Sequence, residues 1–180
     1  MIIFKKANDL QLYLKNQSGK KHSIGFVPTM GALHPGHISL ISHSKNDSAV
    51  SVCSIFVNPT QFNDPDDFKK YPVTIEDDIY ALEKAGCDIL FLPSVEEVYP
   101  NGTQQNRKYE LGYLEQVLEG EYRPGHFQGV CMVVERLLQL VMPTHLYLGQ
   151  KDYQQCLVIK KLAGMMNVNI DIKVMPTLRE

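Results

Sequence analysis

The sequence lacks a surplus of charge of either sign: 18 Lys and Arg stand against 20 Asp and Glu, a net charge of -2. Its basic residues are scattered, with no cluster beyond pairs such as Lys20-Lys21 and Lys160-Lys161. No field therefore points to nucleic acid or to an anionic membrane. No apolar run is long enough to span a bilayer. The opening stretch, MIIFKKANDLQLYLK, does not read as a secretory leader, because its apolar start is short and lysines follow it instead of preceding it. Cysteine is sparse. Cys53, Cys87, Cys131 and Cys156 lie far apart and form no C-x-x-C pair, which disfavours zinc. Cys53 and Cys131 sit inside apolar runs and read as core thiols, so a reduced, cytoplasmic protein is expected. There is no internal repeat, low-complexity tract or linker. What remains is a chain of 180 residues, 44% apolar and 21% charged, which suits one soluble globular domain.

Strand-like and helix-like segments alternate. Residues 23–27 form a short apolar run ending at Pro28, and 36–45 read as a helix. Residues 49–57 are β-branched and apolar and stop at Asn58-Pro59, as a buried strand does. Residues 74–85 carry Ile75, Ile79 and Leu82 at helical spacing, with Gly86 as a stop. A strand follows at 88–92. The stretch 94–125 is less regular, with a turn at Tyr99 to Gly102 and a short helix expected at 111–118. Residues 127–141 form an apolar helix with Val130, Val133, Val134, Leu137 and Val141 on one face. A strand at 145–148, a helix at 153–165 and a strand at 170–175 complete the chain. Such alternation indicates a Rossmann-like α/β fold, a parallel sheet flanked by helices. Ligands bind such sheets beyond the carboxyl ends of the strands. Three polar groups fall there: Thr29 to His37, Asn58 to Gln61, and Gly149 to Gln155.

The stretch FVPTMGALHPGH (26–37) is the most informative. Gly31 and Gly36 have the spacing of P-loop glycines, yet His37 and Ile38 stand where Lys and Ser or Thr would be required, so that reading fails. His34 and His37 instead flank Pro35-Gly36 at a helix start. Pro35 presets the helical dihedral, and Gly36 allows close approach to the backbone. A helix N-terminus with two imidazoles suits phosphate oxygens. For an isolated H-x-x-H pair, a capping histidine beside a solvated one is an equal alternative. Metal binding is a lesser one, with no third ligand nearby in sequence. Lys151-Asp152 has the look of a surface ion pair in an arbitrary protein, and Gln61 that of a loop residue. Thr74 followed by Glu76, Asp77 and Asp78 is the pattern of a capped helix. His126 is placed near the pocket by its position after Arg123-Pro124-Gly125; His22 and His145 read as structural or solvated.

The H-P-G-H segment resembles the H-x-G-H signature of the nucleotidylyltransferase and class I aminoacyl-tRNA synthetase superfamily. With SIFVNPTQF (54–62), Tyr71-Pro72, RPGHFQGV (123–130) and LGQKDYQQ (148–155), the chain resembles the pantothenate synthetase family over essentially its whole length. The resemblance implies a ligase that joins pantoate to β-alanine at the expense of ATP, with magnesium, through a pantoyl-adenylate. It implies an ATP site formed by Met30, Gly31, Ala32, Leu33, His34, Pro35, Gly36 and His37, together with Gly149, Gln150, Lys151, Asp152 and Leu178. His37, His34 and Lys151 would act on the phosphates, with Gln61 and Gln155 on pantoate and Asp77 and Asp78 linked to magnesium. A cytoplasmic homodimer with small-molecule substrates, and no nucleic acid or membrane partner, is expected. Gln150 stands where the family usually has Glu. Family members continue past the position of Glu180 with a serine- and arginine-bearing loop and a C-terminal lid. Residues 1–180 are thus expected to be the N-terminal nucleotide-binding domain, weakly active without the lid. Two alternatives stay open here: another H-x-G-H nucleotidylyltransferase, or a fragment that binds ATP or pantoate without turnover.

Overall fold

The structure is a computed structural model and describes residues 1–18, 23–104 and 107–179. Lys20, Lys21 and His22 lie outside the described residues. Six strands form one parallel sheet: β1 (Ile2–Phe4), β2 (Ile24–Thr29), β3 (Val50–Ile55), β4 (Ile89–Phe91), β5 (His145–Gly149) and β6 (Asp171–Met175). Their order is β1-β4-β3-β2-β5-β6. Eight helices accompany them among the described residues: α1 (Ala7–Ser18), α2 (Pro35–Asp47), α3 (Pro65–Lys70), α4 (Ile75–Lys84), α5 (Val95–Val98), α6 (Glu119–Tyr122), α7 (His126–Val141) and α8 (Tyr153–Met166). The expected α/β class and parallel sheet are found. The short helix expected at 111–118 is instead a 3-10 turn at Gly112–Glu115, followed by α6.

Alternate strand residues face opposite layers, as the pleat requires. Val27, Cys53, Ile55, Leu90 and Tyr147 pack with Leu40 and Ile41 of α2 and Leu82 of α4. Phe26, Val52, Ile89, Phe91 and Leu146 pack with Leu10 and Leu14 of α1, the apolar stripe of α7, and Val158, Ile159 and Leu162 of α8. Burying each such side chain stabilises the fold by about 1.5–3 kcal/mol. Gly25 makes the α2 layer possible: a Cβ there would sit 2.3 Å from Ser44 Oγ and 2.6 Å from Ser48 Oγ. Burial holds all four cysteine thiols above their ordinary pKa, which keeps them protonated and inert.

From β2 the chain steps to β3 and β4 on one side, then crosses to β5 and β6 on the other. The helix after β2 packs on one face and the helix after β5 on the opposite face. The strand order reverses between β2 and β5, and a crevice opens at their carboxyl ends.

Candidate active site

The first wall of the crevice is the turn after β2. Thr29 Oγ1 donates to the Ser54 carbonyl (2.7 Å) and accepts from the Gly31 N–H (3.2 Å). Gly31 (φ 85°) and Ala32 (φ 50°) then take left-handed conformations. An alanine held there carries strain of roughly 1–2 kcal/mol. Asp78 offsets it. This buried carboxylate of α4 accepts from the N–H groups of Ala32 (3.0 Å) and Leu33 (2.7 Å) and from the Thr74 hydroxyl (3.2 Å). Thr74 makes no side-chain cap bond to α4 and spends its hydroxyl on Asp78. The amides of Ala32 and Leu33 are therefore occupied. Gly31, Ala32 and Leu33 do not line the crevice, nor do Asp77, which is exposed, and Asp78.

The turn delivers the chain to α2 with His34 as its N-cap. His34 Nδ1 accepts from the Gly36 N–H (3.1 Å), and His37 Nδ1 accepts from the His34 N–H (3.4 Å). The two rings lie 4.0 Å apart, centroid to centroid. A Cβ at position 36 would come within 2.8 Å of His34 Cε1, so glycine there leaves room for the capping ring. Because each Nδ1 accepts, the proton of each neutral ring sits on Nε2, and both rings offer an N–H donor. Burial, then the neighbouring His34, lowers the His37 pKa from 6.5 to about 4. His37 is thus neutral at pH 7 and acts as a hydrogen-bond donor with no net charge.

A depressed folded-state pKa means that the unfolded chain binds the proton more readily. The contribution of His37 to stability is present above pH 6.5 and is lost as pH falls through about 4. An NMR titration of the imidazole nitrogens should show His37 as the Nε2–H form with a midpoint near 4. A midpoint at 6.5 or above would remove the neutral-donor argument.

The second wall is the turn after β3, a single 3-10 turn at Pro59–Gln61. Asn58 is fully buried and holds it: Oδ1 accepts from the Thr60 N–H (3.3 Å), the Thr60 hydroxyl (3.0 Å) and the Tyr99 hydroxyl (2.9 Å). Burial pushes Tyr99 up to about 12, which keeps that hydroxyl a donor. Asn58 Nδ2 donates to Gln61 Oε1 (3.1 Å) and to the Gly129 carbonyl (3.2 Å). Gln61 Nε2 donates to Met30 Sδ (3.2 Å). The Gln61 amide is oriented by these contacts, with its second Nε2–H left for a ligand.

The third wall follows β5. Gly149 faces the crevice with no atom within 4 Å of where a Cβ would lie. Lys151, Asp152 and Gln155 line the same space, whereas Gln150 is exposed and does not. Lys151 and Asp152 are not paired with each other and take part in no salt bridge among the described residues. The Lys151 ammonium is therefore available to an anion. Leu178 lies at the mouth, 56% exposed.

Together the walls enclose a cleft of about 890 Å³. Met30, His34, Pro35, Gly36, His37, Gln61, Gly149, Lys151, Asp152, Gln155 and Leu178 all line it. Three of its features do not follow from the sequence. Val130, Val133, Val134 and Leu137 of α7 form its apolar floor while also belonging to the core, a double role that helical spacing cannot reveal. Tyr71 lines it too, although the Tyr71-Pro72 motif by itself implies no role. Arg179 adds a second cation at the mouth. His126 lies behind the site, buried, and His145 stands at the opposite end of β5.

A parallel α/β sheet with an H-x-G-H helix start after its central strand defines a domain of the H-x-G-H nucleotidylyltransferase type. The family model described as Pantoate-beta-alanine ligase matches residues 2–180, and the chain belongs to that family. A pantothenate synthetase of Cytophaga hutchinsonii is 51% identical over 180 residues, covering 100% of this chain and 63% of the relative. That of Aquifex aeolicus is 44% identical over 179 residues, covering 99% of this chain and 63% of the relative. The chain thus spans about 63% of the length of these relatives. Among solved structures, the pantoate-beta-alanine ligase of Francisella tularensis, complexed with beta-gamma ATP and beta-alanine, superposes with a TM-score of 0.94. It is 46% identical, covering 100% of this chain and 68% of that one. The pantothenate synthetase of Thermus thermophilus superposes with a TM-score of 0.91 at 41% identity, covering 100% of this chain and 63% of that one.

Proposed function

We propose that these residues are the N-terminal, ATP- and pantoate-holding domain of a ligase that makes pantothenate through a pantoyl-adenylate, with a C-terminal lid outside them. The observation that carries this reading is the meeting of two imidazole N–H donors, one unpaired ammonium and two amide side chains around a single cleft. A carboxylate oxygen of pantoate attacks the α-phosphorus of ATP, and the bond to the β-phosphate oxygen breaks. Negative charge grows on the departing pyrophosphate, where the Nε2–H groups of His34 and His37 and the Lys151 ammonium stabilise it. The amine of β-alanine then attacks the acyl carbon, and AMP leaves. Gly149 and Leu178 border the adenosine, and the α7 floor with Met30 takes the two methyls of pantoate. Magnesium accompanies the nucleotide. Asp152 is the acidic residue among those lining the cleft and suits an ion held by one carboxylate and the phosphates.

The proposed partner is a second copy of the chain. Exposed Tyr113, Leu118, Tyr122 and Tyr153 support it, on segments that Gln154 ties together through Leu114, Val117 and Glu119. A cytoplasmic setting is proposed from the four free, buried cysteines. Among the described residues no helix is long and apolar enough to cross a membrane.

The test is pyrophosphate release from ATP, magnesium and pantoate, with and without β-alanine. Release with pantoate alone, coupled to AMP formation when β-alanine is added, is expected. Release that requires a phosphorylated acceptor in place of pantoate would turn the assignment to another nucleotidylyl transfer.

The Gln155 side chain lines the cleft and makes no hydrogen bond among the described residues, so its amide is free to orient the acid. Gln155→Ala should weaken pantoate by about 1–3 kcal/mol and leave ATP nearly unchanged. Equal losses of both ligands in calorimetry would take Gln155 out of the pantoate site.

A further inference from the structure

The amide end of Gln61 is held by Asn58 and Met30, and its main-chain end is held from a different direction. His126, in the first turn of α7, is 5% exposed and does not line the cleft. Its Nδ1 lies 2.9 Å from the Gln61 carbonyl oxygen. A carbonyl can only accept, so Nδ1 carries the proton. The other nitrogen, Nε2, then accepts from Arg123 Nη1, 3.3 Å away, a group that can only donate. Both ring nitrogens are occupied, and the tautomer is set by its neighbours. One helical turn further along α7, Gly129 lets the helix backbone touch the same turn. A Cβ there would lie 2.3 Å from the Thr60 carbonyl oxygen and 2.7 Å from Gln61 Cα. His126 and Gly129 share a helix face, so α7 grips the 59–61 turn at two adjacent points.

We infer that His126 is a positioning residue: its Nδ1–H fixes the Gln61 main chain and so sets how tightly the cleft holds a small hydroxy acid that His126 never touches. This rests on the reading of Gln61 as a pantoate ligand. The physical reason is leverage. The Gln61 side chain is already tethered to Asn58 and Met30, so a displaced backbone either breaks those tethers or tilts the free Nε2–H away from the ligand. The bound acid feels either change, whereas the phosphate side of the cleft, built on β2 and β5, does not.

The experiment is a double-mutant cycle read by calorimetry on the 180-residue chain, with pantoate and a non-hydrolysable ATP analogue as separate probes. His126→Leu keeps the buried volume and removes the donor. It should raise the pantoate Kd about 10-fold and change that of the nucleotide less than about 2-fold. His126→Asn carries an N–H donor the same number of bonds from Cβ and should restore affinity to within about 3-fold of the parent. In a Gln61→Ala background, His126→Leu should have no further effect on pantoate. If Gln61→Ala weakens pantoate but His126→Leu does not, or if the two losses multiply, the positioning role is overturned and the Gln61 reading stands. If Gln61→Ala itself leaves pantoate binding unchanged, both fall. Should His126→Leu fail to fold, the His126→Asn and His126→Gln pair decides. Equal weakening by both overturns the inference, and a loss confined to the longer Gln supports it.

Discussion

Asp78→Ala is expected to lower folding stability by roughly 3 kcal/mol or more and to weaken nucleotide binding with it. The carboxylate is almost fully buried and accepts from two backbone amides and one hydroxyl, all charge-assisted. Alanine would leave the N–H groups of Ala32 and Leu33 without acceptors, beside an Ala32 backbone that already needs help to stay left-handed. The turn would relax, and His34 and His37 would move with it because they begin where the turn ends. Asp78→Asn keeps one carbonyl acceptor and presents an NH2 group where the other oxygen sat, so an intermediate loss is expected. Urea unfolding with an unchanged m-value is the measurement. A loss below about 0.5 kcal/mol for the alanine variant would show that the turn holds itself without Asp78.

That carboxylate also marks where the sequence stops being readable. Thr74, Glu76, Asp77 and Asp78 spell a helix start, and α4 does begin at Ile75. The same acidic residue serves a loop 45 positions earlier, and nothing in local spacing distinguishes a cap from a long-range tether. The strands β3, β4 and β5 were legible because each carries a run of buried apolar residues closed by proline, asparagine or glycine. β2 was legible from its apolar run, but it does not end at Pro28 and continues through it to Thr29, with Pro28 paired to Ser54 and Thr29 to Ile55. β1 was not: it has only three residues, sits at a sheet edge, and leaves Ile2 and Ile3 44% and 41% exposed. α1 has Ala7, Leu10 and Leu14 at helical spacing and was open to detection from that pattern alone.

The site was legible wherever it lies just past a strand. The walls after β2, β3 and β5 were all anticipated, because chain direction in a parallel sheet brings those three ends together. The floor was not, since Val130, Val133, Val134 and Leu137 look the same whether they meet the sheet or a ligand. The two readings of the histidine pair, cap and phosphate ligand, had looked exclusive. They use different atoms: Nδ1 of each ring serves the helix, and each Nε2–H is left over.

That division of labour makes His37→Ala the variant expected to affect chemistry most. The cap bond lost is a long one, 3.4 Å, so stability should fall by about 1 kcal/mol at most. Ground-state nucleotide binding should change modestly, because Lys151, His34 and the glycine-lined backbone remain in the cleft. On the proposed reading, in which the Nε2–H meets the charge that develops on the departing pyrophosphate, the rate of pyrophosphate release should fall at least about 100-fold. His37→Gln supplies an N–H at a comparable reach and should recover part of the rate without a general acid, as expected if the neutral ring acts as a donor. Single-turnover formation of the acyl-adenylate, beside calorimetric nucleotide binding, separates the two effects. A rate retained within about 3-fold in the alanine variant, with binding intact, would confine His37 to its capping role.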